Sequence, residues 1–138
     1  LILKKLINLF KYESKVNFKI NTIKEDSCLI FGDENQLIRV FNNLIQNSLQ
    51  AMNYKGDIEI NFANNEKILN IDFIDTGPGI GQEIQGQIFE PKFTTKSQGK
   101  GLGLALVKQI LDNHNASISL LKSTSGAHFL LSFESYEP

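Results

Sequence analysis

Asn43, Asn47 and Gln50 stand at intervals of four and three in a segment whose apolar positions are 37, 38, 41, 44, 45, 48/49 and 52. On a helix these three amides project from one face. A buried amide costs free energy unless its donor and acceptor atoms are bonded, so such a stripe calls for a ligand, a metal or ordered water. An asparagine carbonyl suits magnesium, which takes oxygen ligands and is held by few protein groups together with water and phosphate. Taken alone, the stripe also fits the outer side of a half-exposed helix.

A second group is Asp75-Thr76-Gly77-Pro78-Gly79-Ile80, placed where an alternating segment ends. An ionised carboxylate only accepts hydrogen bonds, so Asp75 can receive the exocyclic amino group of adenine; guanine presents a carbonyl there and would be repelled. Gly77 and Gly79 remove side chains where a flat base must approach the backbone, and glycine also tolerates positive φ. Asp, Pro and Gly are equally at home in a plain strand-ending turn.

A third group is Gly99-Lys100-Gly101-Leu102-Gly103-Leu104, which runs straight into a helical pattern. Unobstructed N–H groups at a helix start bind anions such as phosphate. Lys92, Lys96 and Lys100 add positive charge to the same stretch, although each also reads as a solvated loop lysine. Neither G-x-x-x-x-G-K-[ST] nor G-x-G-x-x-G is matched, because Gln82 and Leu104 occupy the last glycine position of the second pattern. The phosphate site expected here is of another kind.

These groups need elements to hold them. The spacing predicts helices over residues 1–10, 33–53 and 102–114, with Asp33 as the N-cap of the longest and Gln36 as its reciprocal capping partner. Strict alternation predicts strands over 16–21, 57–62 and 68–74, and closing strands over 117–121 and 127–133; the apolar run 28–31 is a further short strand candidate. The middle pair reads as an antiparallel hairpin. Residues 75–101 show little sustained period, and so long a loop in a small domain points to function or disorder. The expected fold is α+β, a two-layer α/β sandwich in which one face of a mixed sheet is covered by three helices.

With 138 residues, no internal repeat and no linker, residues 1–138 read as one domain with one core. A net charge of −1 gives no global attraction to nucleic acid or anionic lipid, so neither is expected as a partner. The single cysteine, Cys28, excludes an internal disulfide and fits a core position in a reducing compartment. No signal peptide or membrane-length apolar stretch is present in the sequence. The expected location is cytoplasmic, with any membrane anchor carried by another part of a longer parent. The chain opens without methionine on a helical pattern already under way, which suggests a domain cut from such a parent.

In their order, these motifs resemble the catalytic and ATP-binding domain of bacterial two-component sensor histidine kinases, a branch of the superfamily that includes gyrase and the mismatch-repair ATPases. Asn43-Leu44-Ile45-Gln46-Asn47-Ser48 is similar to the family's N box, residues 75–80 to its G1 box, Phe89-Glu90-Pro91-Lys92-Phe93-Thr94-Thr95-Lys96 to its F box, and residues 99–104 to its G2 box. The F-box run is close to the nitrogen-regulation-type version. The resemblance implies a Bergerat-type fold and a function of binding Mg-ATP and donating its γ-phosphoryl group to a histidine. That histidine would lie on a separate dimerisation domain absent from this chain, with a response regulator acting downstream. It implies Asn43 and Asn47 as catalytic residues, with Asn47 the magnesium ligand. The implied nucleotide contacts are Asn47, Asp75, Gly77, Gly79, Ile80, Phe89, Thr94, Thr95, Lys96, Gly99, Lys100, Gly101, Leu102, Gly103 and Leu104, with residues 85–101 as the ATP lid.

Two departures bear on the chemistry. Hydrolytic members carry a water-activating glutamate where this chain has Asn43, so rapid hydrolysis is not expected, and a serine kinase of the anti-sigma type or a gyrase-like or mismatch-repair-like ATPase is disfavoured. Gln50 stands where many histidine kinases have a basic residue. His114 and His128 lack the acidic helical surroundings of a phosphoacceptor and read as structural or solvent-facing.

Overall fold

The structure is a computed structural model and describes residues 15–21, 30–65, 67–90, 103–123 and 126–135. Among the described residues seven elements follow one another: β1 (Lys15–Asn21), α1 (Glu34–Ala51), β2 (Lys55–Asn65), β3 (Ile68–Asp75), α2 (Gly103–Asn113), β4 (Ser117–Leu120) and β5 (His128–Glu134). The strands form a mixed five-stranded sheet in the order β1-β2-β3-β5-β4, in which only β1 and β2 are parallel. A parallel pair needs a crossover connection, and α1 lies within that connection.

Alternation along each strand sorts the side chains onto two faces. Ile58 and Ile60 of β2, Leu69, Ile71 and Phe73 of β3, and Phe129, Leu131 and Phe133 of β5 are buried with Val40, Ile45 and Leu49 of α1 and Val107, Ile110 and Leu111 of α2 in one core. The opposite face is polar. There Asn17 bonds Asp57, Asn21 bonds Asn61, Ser132 bonds Asn70, and His128 Nε2 donates to Asp72 Oδ1 at 2.6 Å.

The sandwich and mixed sheet are as the sequence predicts, with two helices seen among the described residues; the first expected helix, residues 1–10, lies outside them. Three expectations change. The candidate strand over 28–31 is not one where it is described, since Ile30 and Phe31 belong to no strand and Phe31 is 84% exposed; Cys28 and Leu29 lie outside the described residues. β1 has β2 as its parallel partner. The long helix stops at Ala51 rather than at 53, because Asn53 and Tyr54 turn left-handed at φ 53° and 61° and Tyr54 N–H bonds back to the Leu49 carbonyl.

The third change concerns the segment read as loop. Residues 82–89 form successive turns, closed by bonds such as Ile84 N–H to the Gly81 carbonyl and Gln87 N–H to the Ile84 carbonyl, and Ile88 is buried in the core. Ile88 in the core and Phe89 packed against it anchor a stretch whose composition shows no period.

The N-cap of α1 is as expected, with Gln36 N–H donating to Asp33 Oδ1 at 3.1 Å. The reciprocal bond comes from elsewhere: Asp33 N–H donates to His114 Nε2 at 3.0 Å, and His114 Nδ1 donates to the Ile110 carbonyl at 2.8 Å. An acceptor at Nε2 and a donor at Nδ1 define a neutral ring. His114 is thus structural, pinning the end of α2 to the start of α1.

Candidate functional site

Asp75 is the last residue of β3, and the alternation that turns Leu69, Ile71 and Phe73 inward turns its side chain inward too. At 3% exposure it is a carboxylate beneath the C-terminal part of α1. Its Oδ1 receives Gly77 N–H at 2.9 Å and Ala127 N–H at 3.0 Å, and its Oδ2 receives the Ser48 hydroxyl at 2.8 Å. Two carboxylate oxygens offer about four acceptor positions. Among the described residues three are filled, leaving one on Oδ2.

The walls around this carboxylate admit little beyond backbone. Gly126 sits at φ +57°, and a Cβ there would run into the Asp75 carbonyl oxygen. Gly79 sits at φ +78° with the Gly126 carbonyl 3.1 Å from where its Cβ would be, and a Cβ on Gly77 would meet Asp75 Oδ1 at 3.1 Å. The glycines of this turn are therefore needed for close approach as well as for backbone freedom. Thr76 fastens the turn to β2: Asp57 N–H donates to its Oγ1 at 3.0 Å while Thr76 N–H donates to the Asp57 carbonyl.

Asn43 and Asn47 lie one turn apart on α1, both half-buried beside its buried stripe, and Asn47 is next in sequence to the serine that reaches Asp75. Gln50 of the expected stripe is exposed. Ile80, Phe89 and Leu104 pack at the margin of the core, Phe89 with its ring edge-on to Phe129 at 6.3 Å between centroids. Gly103 opens α2, and among the described residues nothing stands within 4 Å of a Cβ built on it. Thr94, Thr95, Lys96, Gly99, Lys100, Gly101 and Leu102 lie outside the described residues, as does residues 91–101 of the expected lid.

Sequence reasoning assigned no role to Ser48, Gly126 or Ala127, each of which shapes the Asp75 corner. Ser48 carried a signal, being a hydroxyl on the inward side of an apolar helix; Gly126 and Ala127 are distant in sequence and come to Asp75 only through the pairing of β3 with β5. Among the described residues no group of three or more His, Cys, Asp or Glu could hold a metal, and no helix is long and apolar enough to cross a membrane.

Comparison with known proteins agrees with this geometry. Residues 32–137 match the family described as histidine kinase-, DNA gyrase B-, and HSP90-like ATPase. Sporulation kinase A of Bacillus subtilis (strain 168) is 36% identical over 138 aligned residues, taking in 95% of this chain and 23% of that protein. The sensory histidine kinase/phosphatase NtrB of Rhodobacter capsulatus is 34% identical over 114 residues, 73% of this chain and 32% of that protein. The nitrogen-regulation type is thus among the relatives without being singled out. This chain spans about a quarter to a third of these two proteins. Among solved structures, the nucleotide-free catalytic domain of histidine kinase ThkA superposes with a TM-score of 0.86 at 29% identity, covering 97% of this chain and 90% of that one. ThkA in complex with response regulator protein TrrA gives 0.82 at 26% identity, covering 98% of this chain and 40% of that one. The chain belongs to the histidine kinase-, DNA gyrase B- and HSP90-like ATPase family, and within it is a histidine kinase catalytic domain.

Proposed function

We propose that residues 1–138 form one ATP-binding domain that donates the γ-phosphoryl group of Mg-ATP to a histidine carried on a dimerisation segment outside this chain. The observation that carries the reading is the Asp75 corner: a buried carboxylate, fixed by three donors, with one acceptor position that no described residue takes and glycine backbone beside it. A 6-amino purine supplies the missing donor, and the glycines leave room for a flat ring.

Asn47 is the proposed magnesium ligand, with Asn43 one turn away. Their carboxamide oxygens suit the ion, which is commonly held by few protein groups together with water and phosphate. When bound, magnesium would supply neutralisation of charge on the phosphate oxygens. The glycine turn at residues 99–103 and the neighbouring lysines are the proposed phosphate cradle, and residues 85–101 the proposed lid. In the transfer the bond from γ-phosphorus to the bridging oxygen breaks, a bond to the imidazole nitrogen forms, and ADP leaves. The domain's part is placement and charge. Asn43 has no basic atom to activate water, which favours transfer over hydrolysis. A response regulator is the proposed next acceptor, as suggested by ThkA, solved with its regulator TrrA. The proposed location is the cytoplasm, without direct membrane or nucleic-acid contact by this domain.

Saturated with Mg-ATP, the isolated chain should release phosphate at near-background rate. Fused behind the remainder of a histidine kinase such as ThkA in place of that protein's own catalytic domain, it should support an acid-labile phosphohistidine. Brisk hydrolysis by the chain alone would favour an ATPase, and a fusion that binds ATP yet forms no phosphohistidine would sink the donor role.

A further inference from the structure

Ser48 and Asp75 are the buried polar side chains among the described residues, and they are bonded to each other at 2.8 Å. Serine is not there for the sake of the helix, since alanine is the stronger helix former. Nor does Asp75 need it to stay in place, because Oδ1 already holds the Gly77 and Ala127 N–H groups at 2.9 and 3.0 Å. Those two bonds converge on a single oxygen, however, and rotation of a carboxyl group about its χ2 bond is soft. Rotation there carries both oxygens together, so bonds to Oδ1 alone restrain the direction of Oδ2 only softly. The Ser48 hydroxyl adds a restraint on Oδ2, the oxygen whose second acceptor position no described residue takes.

We propose that Ser48 is a positioning residue for base selection: by holding Oδ2 it aims the acceptor that meets the 6-amino group of a purine. The inference rests on the adenine reading of Asp75 and deepens it. Ser48 acts through Asp75 rather than on the nucleotide, so its removal should weaken discrimination at one position of the base and leave the rest of nucleotide binding intact.

The test is the preference for ADP over purine riboside diphosphate, which lacks only the 6-amino group, measured by calorimetry on the 138-residue chain. Ser48→Ala should lower that preference about tenfold, the size expected for loss of a hydrogen bond to a charged group. Affinity for purine riboside diphosphate should stay within about twofold. Ser48→Cys, near in size and a weak donor, should fall between the two and guards against a packing artefact. Asp75→Asn should lower the preference at least as far, and Ser48→Ala added to it should change nothing more. Equal weakening of both nucleotides, or an unchanged preference in Ser48→Ala while Asp75→Asn loses it, overturns the role of Ser48. An unchanged preference in Asp75→Asn overturns the adenine reading itself.

Discussion

Two polar corners tie distant segments of this chain together, and they differ in what they leave unused. At the start of α1, the His114 ring accepts from Asp33 N–H through Nε2 and donates to the Ile110 carbonyl through Nδ1, so both ring nitrogens are consumed. At the end of β3, Asp75 receives Ser48, Gly77 and Ala127, and among the described residues nothing takes the remaining acceptor position on Oδ2. A saturated corner can only join. One with a position to spare beside glycine backbone can join and also recognise a ligand.

The largest effect on this contrast should come from Gly126→Ala. Its φ of +57° and the collision of a Cβ with the Asp75 carbonyl make the substitution costly in two ways. We expect a loss of at least about 2 kcal/mol in urea unfolding, together with loss of ATP binding, because the same shift displaces Ala127 N–H from Oδ1. Unchanged stability and affinity would mean that the corner is looser than its geometry shows.

A smaller effect, confined to stability, should follow His114→Ala. Removing the ring leaves Asp33 N–H without its acceptor, a loss of about 1 kcal/mol. ATP affinity should stay within about twofold, since this corner takes no part in binding. A large fall in affinity at unchanged stability would erase the distinction between the two corners.

The contrast also marks how far the sequence could be read. Asp75 and its glycines were legible because they are contiguous and end an alternating strand, and the Asp33 cap was legible because Gln36 lies three residues on. His114 as the second capping partner was not, since it is 81 residues from Asp33 and reaches it only when α2 packs against α1. Gly126 and Ala127 were hidden for the same reason, the one falling between the two expected closing strands and the other opening the second, with no sign of which residue they would meet. The candidate strand over 28–31 failed differently: a short apolar run carries no period and cannot reveal whether its side chains find a core. Local patterns named the elements, while the bonds that build the site span 27 and 52 residues.

The central claim is that the spare acceptor of Asp75 reads adenine, and Asp75→Asn isolates it. The amide oxygen can take the Oδ1 position and keep both N–H bonds, while the amide nitrogen donates to the Ser48 hydroxyl, so the corner stays joined. Only the acceptor facing the base becomes a donor. Calorimetric titration with Mg-ATP should show affinity lower by about tenfold to a hundredfold in a variant that unfolds at the same urea concentration as the unmodified chain. A folded Asp75→Asn variant that binds Mg-ATP with undiminished affinity would contradict the account.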